Sequence, residues 1–396
     1  MAEIIRTDYL QILIAGKDQN NVVKVITGMR RCGKSTLLNQ YVTYLNDQGV
    51  HNDEIVRINF ELPENQYISD KDILNGWIID NIPKDRQMYV LLDEIQNVKD
   101  WEMSVAGLEA MGNCDIYITG SNSRLLSSEL STHLTGRYIE VKMQPFSFKE
   151  YLKMHPSDNI DKRFNDYLKY GGIPIVDPDS DEIYREGILD GIFNSILVND
   201  VLQRLRTDDV SKVTAIARYL YSNIGNLTNV DNVAKEIGIS GPTVKRYIDA
   251  MEKAYLFYYC ERYDIIGKNI LKTNGKYYAS DLGMRNHSVV IGNTRDISKP
   301  LENIVYMELL RRGYKVNIGC FKDSEVDFTA ARNGRIEYYQ VSQTIMGDDT
   351  YEREIRPLRR IKDNFSKTIL TMDRFGLGTD EGVEIVNVMD WLLDDD

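Results

Sequence analysis

Two glycines five positions apart, followed at once by a lysine and a hydroxyl, occupy residues 28–35: Gly28-Met29-Arg30-Arg31-Cys32-Gly33-Lys34-Ser35. The apolar run Val22-Val23-Lys24-Val25-Ile26 leads into them and a stretch with helical apolar spacing follows, so a strand, a tight loop and a helix are expected in succession. In such a loop the glycines let the backbone fold until consecutive N–H groups face a polyphosphate, and the amino end of the helix adds positive partial charge. Gly28, Met29, Arg30, Arg31, Cys32, Gly33, Lys34, Ser35 and Thr36 are therefore expected to bind ATP. Lys34 would reach the β- and γ-phosphates, and Ser35 would ligate Mg2+. Arg30 and Arg31 either add charge near the phosphates or pair with an acid.

A second run, Tyr89-Val90-Leu91-Leu92, ends in Asp93-Glu94. Two carboxylates at the end of a buried strand suit the positioning chemistry of phosphoryl transfer, with Asp93 on Mg2+ and Glu94 polarising the attacking water. Without a phosphate loop upstream, the same pair would read as a helix N-cap and a first-turn acid. A third run ends in Thr119-Gly120-Ser121-Asn122-Ser123, and its strand is expected to lie between the other two. Ser121 or Asn122 is then either a γ-phosphate sensor or a turn residue. Arg137, just before the next strand, either stabilises charge on a neighbouring subunit's γ-phosphate or forms a surface salt bridge.

These runs, with 54–58 and 138–141, predict a parallel sheet covered by helices on both faces over 1–145. Beyond Pro145 the periodicity turns helical, which predicts a helical lid over 146–206. Residues 207–265 read as a winged helix-turn-helix: one helix ends at Gly238, Ser240-Gly241-Pro242 opens the next, and Tyr255-Leu256-Phe257-Tyr258-Tyr259 supplies a wing strand. Alternation returns over 266–396 as a second, smaller α/β unit. The composition is that of a globular chain, 42% hydrophobic and 27% charged, with no apolar run long enough to cross a membrane and no export signal at Met1-Ala2-Glu3-Ile4-Ile5-Arg6, so a cytoplasmic location is expected. The four cysteines and four histidines are scattered, without metal-ligand spacing. A net charge of −12 argues against nonspecific coating of nucleic acid. Lys245 and Arg246 on the second helix of the helix-turn-helix are the candidates for contact with double-stranded DNA, but acids balance the bases around them, so a protein-docking role stays open.

Taken together, the phosphate loop, Leu91-Leu92-Asp93-Glu94-Ile95-Gln96, Ile118-Thr119-Gly120-Ser121-Asn122-Ser123, Leu134-Thr135-Gly136-Arg137 and Gly171-Gly172-Ile173-Pro174 resemble the bacterial and archaeal AAA+-like ATPases that carry a winged helix and a C-terminal nuclease-related domain. The resemblance implies that Pro174 touches adenine, whereas local chemistry explains Gly171–Pro174 equally as a helix-terminating turn. It also aligns Glu302, Glu325-Val326-Asp327 and Gln340-Val341-Ser342 with the PD-(D/E)xK nuclease pattern. Gln340 and Ser342 stand where that pattern needs an acid and a lysine, so a degenerate, inactive nuclease-like site is implied. The expected fold is thus α/β, a P-loop NTPase parallel sheet with a helical lid, a winged-helix module and a small nuclease-like domain. The expected function is an ATP-driven switch, homo-oligomeric if Arg137 acts between subunits. The alternative is an ATP-controlled DNA-binding regulator.

Overall fold

The structure, a computed structural model, describes residues 4–121, 125, 134, 136–289, 296–322 and 324–394. The chain divides into two compact units, residues 1–145 with 253–255, and residues 146–252 with 256–396. No helix among the described residues is long and apolar enough to cross a membrane.

In the first unit, β1 (Val23–Gly28), β2 (Ile55–Asn59), β3 (Met88–Asp93), β4 (Cys114–Gly120) and β5 (Tyr138–Met143) form one parallel sheet in the order β2-β3-β4-β1-β5. Every residue of β1, β3 and β4 is buried, because these central strands are covered on both faces. Alternate side chains feed two separate cores. Ile26, Leu91, Tyr117 and Val141 meet α1 (Thr7–Ala15) and α2 (Lys34–Asp47) through Leu13, Leu37, Leu38 and Tyr41. On the other face Val25, Leu92, Ile116 and Ile118 meet α3 (Lys71–Asn81) and α4 (Trp101–Met111) through Leu74, Ile78, Trp101 and Val105. As the three sequence runs imply, β4 separates β1 from β3. The parallel direction brings all the carboxyl ends to one edge, where open α/β sheets place their ligands.

The second unit begins with helices, as the loss of strand periodicity after Pro145 implies: α5 (Phe148–Met154), α6 (Ile160–Tyr170), α7 (Glu182–Ser195) and α8 (Val210–Ser222). The chain of α7 runs on through a π-helical stretch, Ile196–Leu202. Next come α9 (Val230–Ile237), which ends at left-handed Gly238, and α10 (Gly241–Lys253). An eight-stranded mixed sheet follows, with β6 (Phe257–Asp264), β7 (Asn269–Ala279), β8 (Lys315–Phe321), β9 (Ser324–Arg332), β10 (Arg335–Ser342), β11 (Ser366–Thr371), β12 (Gly378–Asp380) and β13 (Val383–Asn387) in the order β12-β13-β11-β10-β9-β8-β6-β7. Its helices are α11 (Leu282–Ser288), α12 (Ser298–Arg311), α13 (Asp348–Arg360) and α14 (Val388–Leu393).

Two features differ from the sequence reading. The second sheet is the larger, eight strands against five. The strand expected as a wing after α10 is also part of this sheet, because β6 pairs antiparallel with β7 and in parallel with β8, Arg262 opposite Ile318. Phe257 and Cys260 of β6 are buried, and a strand with an apolar face is stable only when a sheet and its helices cover it.

Candidate functional site

The phosphate loop lies at the carboxyl end of β1. Gly28 has φ +144°, and a methyl on it would lie 2.2 Å from the Met143 carbonyl oxygen of β5, so glycine is required where the strand turns into the loop. Gly33, also at positive φ, precedes α2. Met29 and Cys32 point inward and are buried, with the Cys32 Sγ 3.7 Å from the Met143 oxygen, while Arg31 is exposed. The Arg30 guanidinium lies 3.5 Å from the Glu61 carboxylate, so it pairs with an acid. Ser35 and Thr36 open α2 and are half-buried. Lys34 is almost wholly buried, and its Nζ lies 3.1 Å from the Gly28 oxygen, 3.2 Å from the Met29 oxygen and 3.7 Å from Glu94 Oε1. Its charge therefore sits at the mouth of the loop.

Asp93 ends β3 without solvent exposure. Its Oδ1 accepts from the Thr119 hydroxyl at 2.5 Å and its Oδ2 from the Asn59 amide at 3.0 Å. Burial pushes its pKa above the ordinary carboxylate value, and the Thr119 and Ser35 hydroxyls partly offset this. Glu94 has a left-handed backbone, φ +55°, fixed by its N–H donating to the Thr119 hydroxyl at 3.0 Å. A non-glycine residue held there costs about 1–3 kcal/mol, a strain that recurs where a side chain must be aimed. Thr119 thus orients both acids, and Ser121, two residues on, is buried at the end of the same strand. Asn122 lies outside the described residues.

The Asp93 carboxylate and Ser35 hydroxyl are hard oxygen donors of the kind Mg2+ takes beside nucleotide phosphates, where one or two protein ligands suffice. Among the described residues no group of three or more His, Cys, Asp or Glu is arranged to hold a metal ion.

Sequence reasoning missed Arg6, which is 2% exposed and donates to the Cys32 oxygen and the Gln144 oxygen, both at 3.0 Å. It braces the loop from the amino-terminal segment. No local pattern announces it, since its partners are 26 and 138 residues away.

Arg137 lies elsewhere. It precedes β5 beside Val23, at the amino end of strands whose carboxyl ends carry the loop. Six residues of strand separate the two ends, about 20 Å, so Arg137 does not reach its own chain's loop. It is half-exposed and bonds Glu109 of α4 at 2.8 Å.

The other residues singled out by sequence belong to the second unit. Gly171, at φ +74°, ends α6; a methyl there would fall 2.2 Å from the Asp281 carboxylate, which accepts from Gly172 N at 2.7 Å and Met284 N at 3.0 Å. Burial pushes the Asp281 carboxyl up to about 6 against these backbone donors. The turn that carries Pro174 is thereby tied to α11. We expect Gly171→Ala to cost about 2 kcal/mol or more and to lower the melting temperature, while Gly187→Ala, in α7 with open space around it, costs nothing. Equal melting temperatures for the two variants would refute this account of the turn.

Lys245 and Arg246 are exposed on α10; Lys245 pairs with Asp249 at 3.3 Å and Arg246 lies over the Tyr247 ring. In the C-terminal sheet Glu302 of α12 and Asp327 of β9 converge. Gln340 of β10 accepts from Asp327 N at 3.2 Å and donates to Glu354 at 2.7 Å, and the Ser342 hydroxyl turns away to the Thr344 oxygen at 3.0 Å.

Residues 20–152 match a family model described as an AAA domain, and residues 161–295 match a domain of unknown function (DUF8612). An uncharacterised protein of Haemophilus influenzae is 41% identical over 99% of this chain and 99% of its own length. An uncharacterised protein of Methanocaldococcus jannaschii is 30% identical over 93% of this chain and 85% of its own. Among solved structures, the Aeropyrum pernix ORC1 protein in complex with DNA shares 9% identity at a TM-score of 0.33, covering 72% of this chain and 92% of that one, a likeness too slight to bear on function. With identity sustained along nearly the whole length and an AAA domain over the phosphate loop, the chain belongs with these bacterial and archaeal proteins to an AAA+ P-loop ATPase-like family.

Proposed function

We propose that this protein binds Mg-ATP at Gly28–Thr36 and Asp93, hydrolyses it with Glu94, and uses the difference between the two nucleotide states as a switch. The observation that carries the reading is the placement, beyond the carboxyl ends of β1 and β3 on either side of β4, of a buried ammonium at Lys34 and a buried carboxylate at Asp93. Bound Mg2+ would supply positive charge against the charge that develops on the phosphates. Asp93 and Ser35 would hold it, Lys34 would orient the phosphates, and Glu94 would take the proton of the attacking water. Because Arg137 lies at the far end of β5, any action on a γ-phosphate is proposed between copies of the chain. Pro174 stays a candidate for adenine contact on the resemblance alone, and Ser121 and Asn122 stay candidates for γ-phosphate contact because their strand lies between β1 and β3.

For residues 266–396 we propose a nuclease-like fold without nuclease activity. Gln340 is committed to Asp327 N and Glu354 and the Ser342 hydroxyl to a backbone carbonyl, and neither side chain supplies the charge that holding a metal or orienting a water needs. For Lys245 and Arg246, the i,i+4 pairing of Lys245 with Asp249 favours a docking face over a phosphate-binding one.

Lys34→Ala tests the main reading. Loss of a charge-assisted contact to the phosphates is expected to weaken binding of a fluorescent ATP analogue about tenfold or more. Unchanged affinity would end the assignment of the loop.

A further inference from the structure

The one lysine of β7 that points into the second unit, Lys276, is 3% exposed, and its Nζ lies 2.7 Å from Glu325 Oε1, 3.1 Å from Glu302 Oε1 and 4.0 Å from Asp327 Oδ1. Glu302 also accepts from the Tyr278 hydroxyl at 2.6 Å and pairs with Lys299 at 2.7 Å. The second oxygen of Asp327 accepts from Val341 N at 2.9 Å. The chain after α8 closes over this group. Gly225, at φ +67°, sits so near that a methyl on it would lie 2.9 Å from the Lys299 side chain and 3.4 Å from the Glu302 carboxyl, and Leu227 bridges Lys276 itself.

Three carboxylates that converge on one point in a protein interior repel one another unless a cation occupies that point. In metal centres a divalent ion does so. Here the point is filled by an ammonium, which reaches Glu302 and Glu325 at hydrogen-bond distance and stands 4.0 Å from Asp327. We infer that Lys276 takes the place of a divalent cation, so that the C-terminal sheet carries a carboxylate centre closed by its own chain, and that removing the ammonium opens this centre to metal. The inference goes beyond the ATPase reading and shares no residue with it.

The charge balance is consistent with this. Burial would raise the Glu302 pKa, but Lys276 and Lys299 outweigh it and hold the carboxyl below its ordinary range. Asp327 is pushed up to about 7, first by burial and then by Glu302. Burial would depress Lys276, and the surrounding Glu302, Asp327 and Glu325 raise it instead.

The test is Mn2+ titration of the nucleotide-free full chain, with bound ion counted by electron paramagnetic resonance, for wild type, Lys276→Ala and Lys276→Ala/Asp327→Asn. Lys276→Ala is expected to gain one Mn2+ site about tenfold or more tighter than any the wild type shows, and the added Asp327→Asn to lose it. If Lys276→Ala proves too unstable to titrate, its melting temperature in millimolar Mn2+ against EDTA replaces the titration, with a rise of several degrees beyond the wild type's expected. The inference falls if Lys276→Ala binds Mn2+ or is stabilised by it no more than the wild type. It falls equally if the wild type already holds Mn2+ at a site that Asp327→Asn abolishes.

Discussion

A Glu94→Gln variant is expected to bind ATP and to turn it over about 10²- to 10⁴-fold more slowly than the wild type, the range a positioned general base contributes. The substitution keeps the shape of the side chain, and the backbone bond from residue 94 to Thr119 does not depend on the carboxylate, so the left-handed turn survives. An amide cannot accept a proton from water, so chemistry alone is lost. Binding should stay level or tighten, because Glu94 Oε1 lies 3.7 Å from the Lys34 ammonium and competes with phosphate for it. Phosphate release measured beside analogue binding separates the two effects. Turnover within about threefold of wild type would remove Glu94 from the mechanism, and a parallel loss of affinity would mean that its role is structural.

How much of this centre is legible in the sequence depends on whether its parts are consecutive. The loop is a run of eight residues whose constraints, glycine conformation, a lysine and a helix start, all act locally, and β1 and α2 flank it as the pattern requires. Asp93 and Glu94 are legible for the same reason, since they follow a run of buried apolar residues that has to stop at the sheet's edge. Arg6, Asn59 and Thr119 are not legible. Each acts through hydrogen bonds to residues far along the chain, and nothing local marks an Arg, an Asn or a Thr that makes them.

The same limit applies to the fold of the second unit. Lys272-Thr273-Asn274-Gly275-Lys276 has the composition of a turn, yet it lies within β7, at the irregularity where the register with β6 shifts between Cys260 and Arg262. Lys276 was invisible among those residues because its acids come from α12 and β9. The strands from β8 to β11 fall within the stretch where alternation returns in the sequence.

Asp115→Ala is expected to cost about 3–5 kcal/mol of stability, the usual result of removing one partner from a buried ion pair. Asp115 of β4 and Lys24 of β1 are both wholly buried and paired with each other at the edge of the sheet away from the loop. Asp115 also accepts from the Tyr117 hydroxyl at 3.0 Å and from Asp18 N at 2.8 Å, and Lys24 donates to the Gln19 oxygen at 2.9 Å. Without the carboxylate, a buried ammonium keeps only a carbonyl. The double variant Lys24→Met/Asp115→Leu should lie closer to wild type than either single variant, since both charges leave together. Urea unfolding followed through Trp77 and Trp101, both in this unit, supplies the comparison.

The pH dependence gives a second signature. Burial already lowers the Lys24 pKa below the ordinary lysine value even with Asp115 present, and removal of the acid lowers it further. The unfolded chain then binds a proton that the folded one lacks, so stability rises with pH, and the deficit of Asp115→Ala should shrink as pH climbs toward the unfolded lysine value of about 10.4. A deficit constant from neutral pH upward, or a double variant as unstable as the single ones, would mean that packing rather than charge governs this edge of the sheet.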